Sequence, residues 1–149
     1  MSIIPEGQYA SITPDRFAAL SLLRGADGIE RTKADPTSWF FMILDMHRAV
    51  YCAMIAALTG TMGIGAFSAK LQAEWIAYFE GSRSNPKLKQ PEGDYVLRFQ
   101  DLLERAESGT ADMMGPPLQL TPEQRTDLLK LNEFRADLEH VNLSHGLSK

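Results

Sequence analysis

The chain has 149 residues, of which 44% are hydrophobic and 23% charged, with a net charge of −4. A chain of this size buries roughly 70% of the surface its unfolded form exposes, and these proportions exclude a disordered protein. The acidic balance argues against a broad basic nucleic-acid surface but leaves room for a local cationic site, and the single cysteine, Cys52, excludes an intramolecular disulfide.

Met1-Ser-Ile-Ile-Pro-Glu-Gly-Gln-Tyr9 carries neither a basic segment nor an apolar run of the kind that opens a secretory signal. With the lone cysteine this points to a reducing, cytoplasmic setting. Residues 1–12 read as an irregular arm of one domain that spans 1–149. Thr13-Pro14-Asp15 is then a helix start, with threonine as N-cap, proline at the first helical position and aspartate at the positive end of the dipole. The helix is expected over Arg16–Arg24, with Gly25 as its stop and a polar loop over Ala26–Ala34.

Asp35-Pro36-Thr37-Ser38 repeats the same start, and the longest apolar run follows, Trp39–Leu58. Its length suits a membrane span, but Asp45, His47 and Arg48 near its middle are expensive in lipid, so it reads as the central core helix of a bundle. Asp45 and Arg48, three residues apart, are expected to satisfy one another. Ala49, Ala53, Ala56 and Ala57 offer a face of small side chains to a neighbouring helix. His47 reads as a core-edge histidine bonded locally, and Cys52 as an inert thiol whose apolar surround raises its pKa. Gly60, Gly63 and Gly65 follow a helix rather than a strand and lack phosphate-loop spacing, so they read as a C-cap and tight turn.

A third helix is expected over Ser68–Glu80 with Gly81 as its stop. Ser82–Gly93 follows as an exposed loop carrying Arg83, Lys87 and Lys89. A fourth helix is expected over Asp94–Glu107 and an extended connector over Met113–Leu118. Thr121-Pro122-Glu123-Gln124 is a capping box, and Leu128, Leu131, Phe134, Leu138 and Val141 recur behind it at helical spacing as a core face. The expected architecture is an all-α up-and-down bundle of four or five helices, with the second and last at its centre.

The last helix concentrates the polar groups. Asn132 and Glu139 flank Arg135 by one turn on either side, and the three can form one hydrogen-bonded line. His140 follows Arg135 by five residues, about 140° around an ideal helix. The two converge only if the helix ends near His140 or a second chain supplies the partner. His145 lies farther on, and its spacing to His140 matches no metal-ligand pattern, so neither metal nor cofactor is expected.

At Leu131-Asn132 and Arg135-Ala-Asp-Leu-Glu-His140 the chain resembles the HEPN superfamily, small helical bundles with an R-x(4–6)-H motif near the end of the last core helix. Tyr51–Thr61 resembles that family's core helix and glycine turn, and Phe99–Arg105 its penultimate helix. The resemblance implies a homodimer with a shared cleft and metal-independent endoribonuclease or RNA-binding activity. Arg135 would then stabilise charge on a phosphate and His140 would move the proton, while neither DNA nor membrane is implied. Ala136 stands where active members commonly carry a polar residue, which favours the alternative of a non-catalytic partner-binding or scaffold domain. A small-molecule or nucleotide pocket between the helices is the third reading.

Overall fold

The computed structural model describes residues 12–93 and 95–139, and among them the architecture is all-α, a helical bundle. Its helices are α1 (Pro14–Ala34), α2 (Trp39–Thr59), α3 (Ala69–Ser82), α4 (Phe99–Ser108) and α5 (Pro122–Glu139), with a 3₁₀ turn at Pro36–Ser38 leading into α2. That turn opens as expected, with the Asp35 carboxylate accepting from the Thr37 amide at 3.0 Å.

The first helix is more than twice as long as the sequence signals imply. Gly25 does not stop it, and neither does Gly28. Both lie on the face of α1 turned to α2, where a Cβ on Gly25 would stand 2.6 Å from the Met46 sulfur and one on Gly28 3.1 Å from the Met42 Cβ. A glycine inside a helix costs about 1 kcal/mol relative to alanine. Here that cost is offset by close packing of the α1–α2 hairpin, in which Ala18 and Ser21 are buried beside the two glycines. The glycines that looked like punctuation are contact residues.

α2 is the central helix, as expected. Pro36–Thr59 is long and apolar enough to cross a membrane, yet in this fold it is flanked by α1 on one side and by α4 and α5 on the other. Asp45, only 6% exposed, bonds across to Arg24 of α1 at 3.4 Å, with Arg48 farther off at 4.0 Å. The expected Asp45–Arg48 pair is therefore the weaker half of a three-residue arrangement.

The core joins Met54 and Leu58 of α2 to Ala66 and to Phe99, Leu102, Leu103 and Ala106 of α4. α4, not α5, shares the centre with α2. α5 has no fully buried residue among those described; Leu128 and Leu129 pack on the core edge, while Phe134 stays 49% exposed and meets Trp39 edge-on at 6.5 Å. The α4 helix also starts later than expected. Val96 forms an isolated antiparallel bridge with Phe67, and the Leu97 amide donates to the Ala66 carbonyl at 2.9 Å, which holds this stretch extended until Arg98.

The α2–α3 turn behaves as its glycines imply. Gly60 caps α2 with φ 61°, and Asp112 ties the turn down by accepting from the Thr61 hydroxyl at 2.7 Å and the Met62 amide at 3.2 Å. α3 begins at Ser68, whose hydroxyl accepts from the Leu71 amide, and runs through Gly81 to Ser82. It is anchored by Leu71 and by Gln72, which donates to the carbonyls of Gly65 and Phe67, rather than by lying along another helix. The connector covers a core edge as expected, with Met113, Leu118 and Leu120 packed inward.

Candidate functional site

Three short segments converge on one cleft of about 680 Å³. α2 contributes Leu44, His47, Arg48 and Tyr51, whose i, i+3, i+4, i+7 spacing puts them on one helical face. The start of α4 contributes Arg98, Phe99 and Gln100, and α5 contributes Asn132, Arg135 and Ala136. The late start of α4 matters here: Arg98 is its N-cap residue, with ψ 161°, so it stands at the mouth of the cleft instead of inside a helix.

The rim is cationic. Arg48, Arg98 and Arg135 come from three different helical segments, and none of the described lining residues is a carboxylate. Guanidinium groups keep their charge under all accessible conditions and present planar forks of donors that match phosphate oxygens. Three of them line one concavity of an acidic chain, with Asp45 reaching Arg48 from behind the lining at 4.0 Å.

The floor is aromatic. His47, 6% exposed, stacks on Phe99 at 4.8 Å between ring centroids, and Tyr51 lies nearly parallel to both rings. His47 Nε2 meets the Asn132 side-chain oxygen at 3.1 Å; with that oxygen as acceptor, Nε2 carries the hydrogen. This bond joins α2 to α5 across 85 positions of sequence, far beyond the local partner expected for His47. The Tyr51 hydroxyl donates to the Leu97 carbonyl at 3.0 Å, which fixes the extended stretch before α4 against α2. Burial pushes the Tyr51 phenol above its ordinary pKa, neighbouring Cys52 adds to that, and the nearby Arg135 charge works against both. Burial also raises the Cys52 thiol, as its apolar surround implies, with Arg48 opposing.

Of the residues singled out from sequence, Arg135 and Asn132 lie in the cleft. Asn132 is engaged by His47, and the side chain of Glu139 lies outside the described ones. Glu139 ends α5, and His140 lies outside the described residues, as do Val141 and His145. The structure adds Arg48, Arg98 and His47, which sequence reasoning had assigned elsewhere or passed over. A signal for two of them existed: His47, Arg48 and Tyr51 share one face of the central helix, an unusual set of side chains for a position where a bundle expects only apolar ones. Arg98 had no such signal, because its placement depends on the bridge between Phe67 and Val96.

Compared with family models, with curated proteins and with solved structures, the chain gives no match.

Proposed function

We propose that the cleft binds the phosphodiester backbone of single-stranded RNA, and that this is a HEPN-like RNA-binding protein. The observation that carries this reading is the convergence of Arg48, Arg98 and Arg135 on one cleft, beside an aromatic cluster, with no carboxylate among its described lining residues. The guanidiniums engage phosphate by charge-assisted, partly bidentate hydrogen bonds. The half-buried Tyr51 ring, backed by His47 and Phe99, gives the neighbouring sugar or base a flat surface. Gln100 and Asn132 supply neutral polar contacts in the same cleft.

Cleavage is the second reading, carried by the Arg135…His140 spacing. In it the ribose 2′-oxygen attacks phosphorus, the 5′-oxygen leaves, and a 2′,3′-cyclic phosphate and a 5′-hydroxyl result. Arg135 would balance the charge that grows on the phosphoryl oxygens, and His140 would take the 2′-hydroxyl proton or return one to the leaving oxygen. Ala136 lines the cleft where active members of the HEPN superfamily commonly carry a polar residue, which makes binding the primary reading.

Fluorescence anisotropy with a labelled single-stranded RNA tests the proposal. Arg98→Ala and Arg135→Ala are each expected to weaken binding by about tenfold or more, the loss of one charge-assisted contact. With three phosphates neutralised, log K should fall against log salt with a slope of about −2. No saturable binding at tens of micromolar, or binding indifferent to both substitutions, overturns it. Cleavage is read separately as cyclic-phosphate ends by mass spectrometry; products that persist in an Arg135→Ala, His140→Ala double variant would remove the catalytic reading and leave binding standing.

A further inference from the structure

The other side of α2 carries a second feature, independent of the cleft. α1 buries Ala18, Ser21, Gly25 and Gly28 against α2. At about 100° per residue, the position opposite the middle of that stripe is Leu23. Leu23 is 65% exposed, more than any other large apolar residue of α1. Around it on the outer face lie Ala19, Leu20, Ala26 and the exposed Asp27, bounded by Arg16 toward the N-terminus and Glu30 toward the C-terminus. Phe41, 70% exposed, flanks this surface beside Asp27 and Arg31.

Two of the charges on this face are placed symmetrically about the apolar centre, while Asp27 would meet the partner's Ala19. Arg16 and Glu30 each lie two turns from Leu23, in opposite directions, about 10 Å along the axis. In an antiparallel pair of identical helices, residues equally distant from the two-fold axis face each other. An axis through Leu23 therefore sets Arg16 against the partner's Glu30 twice over, and Leu20 against the partner's Ala26, large against small. A parallel pair would set Arg16 against Arg16 and Glu30 against Glu30. The exposed Glu30–Lys33 contact within α1 does not compete strongly, since a solvated pair of this kind contributes little.

We propose that a second copy of this chain packs antiparallel on the outer face of α1, with Leu23 at the two-fold axis and two Arg16–Glu30 pairs closing its ends. Because α1 and the cleft occupy opposite sides of α2, this dimer leaves each cleft open and complete within its own protomer. It is a different surface from a shared cleft.

Sedimentation equilibrium of the full chain and three variants decides the matter. The wild-type protein is expected to dimerise in the micromolar range, and Leu23→Arg to be monomeric with an unchanged helix content by circular dichroism, since Leu23 is largely exposed in its own fold. Arg16→Glu should weaken the dimer about tenfold by replacing two attractions with two repulsions, and Arg16→Glu/Glu30→Arg should restore most of that loss. A wild-type monomer at all accessible concentrations would mean that something else covers α1, and overturns the proposal. So does a dimer that survives Leu23→Arg, or a charge reversal that the second substitution fails to rescue.

Discussion

Gly65 stands where any side chain would land on the Leu58 carbonyl oxygen, because the chain doubles back on the end of α2 at that point. Neither atom belongs to a flexible side chain, so neither can move aside cheaply. Gly65→Ala is expected to cost about 3 kcal/mol, the upper end of overpacking, read as a loss in the urea midpoint. Gly25→Ala should cost less, about 1–2 kcal/mol, because the atom in the way is the Met46 sulfur, part of an unbranched and adaptable side chain. That loss would occur despite the gain in helix propensity, which separates a contact glycine from a punctuating one. At the core, Leu103 has no exposed surface, and Leu103→Ala is expected to cost about 2–5 kcal/mol.

Among the helices, α5 combines the clearest start with the shallowest burial. Its capping box forms as the sequence implies: the Gln124 amide donates to the Thr121 hydroxyl at 3.2 Å, and the Thr121 amide donates to the Gln124 side chain at 2.9 Å. With so little buried area behind it, α5 depends on that cap more than α4 does. Thr121→Ala is expected to cost about 1 kcal/mol of stability. Amide exchange should show the effect concentrated in α5, with α2 and α4 little changed, since locally weak elements open independently of the core. Because α5 carries Arg135 and Asn132, a frayed helix would also weaken the cleft. On the proposed RNA-binding function, affinity for RNA in this variant should fall although no cleft residue has changed.

At the scale of the whole molecule, the carboxylates set the response to acid. Hydrogen bonds from Thr13 to Asp15, from Thr37 to Asp35, from Thr61 and Met62 to Asp112, and from the backbone and Thr121 to Glu123 hold all four below their ordinary values. A group with a depressed folded-state pKa contributes stability that is fully present above the unfolded value, about 4, and lost as pH falls through the folded value. The melting temperature should therefore be flat near neutrality and decline below pH of about 4. All four groups are at the surface, so the decline is shallow. Asp112 joins the connector to the α2–α3 turn, and Asp112→Asn should make the decline shallower still while lowering stability at neutral pH; an acid slope identical to wild type would show that this contact carries none of it.

Much of the fold was legible from local chemistry. Proline after a capping residue, as at Thr13, Asp35 and Thr121, marks helix starts because it acts through the first turn alone. The apolar run from Trp39 marks the central helix, since no other segment can hide so much apolar surface. Arg135 and Asn132 were legible as polar neighbours on one helix face, and both line the cleft. The rest depended on what lay opposite. Gly25 reads as a stop and Gly28 as part of a loop until Met46 and Met42 are placed against them. Phe134 fits a periodic stripe, yet its neighbour is Trp39 and open solvent. Arg98 acquires a role only because Val96 pairs with Phe67 and keeps the chain extended. His47 finds its partner 85 residues away. Helix starts and periodicity are decided by neighbours in sequence, whereas close approach, burial and the gathering of like charges are decided by neighbours in space, and only the tertiary structure supplies those.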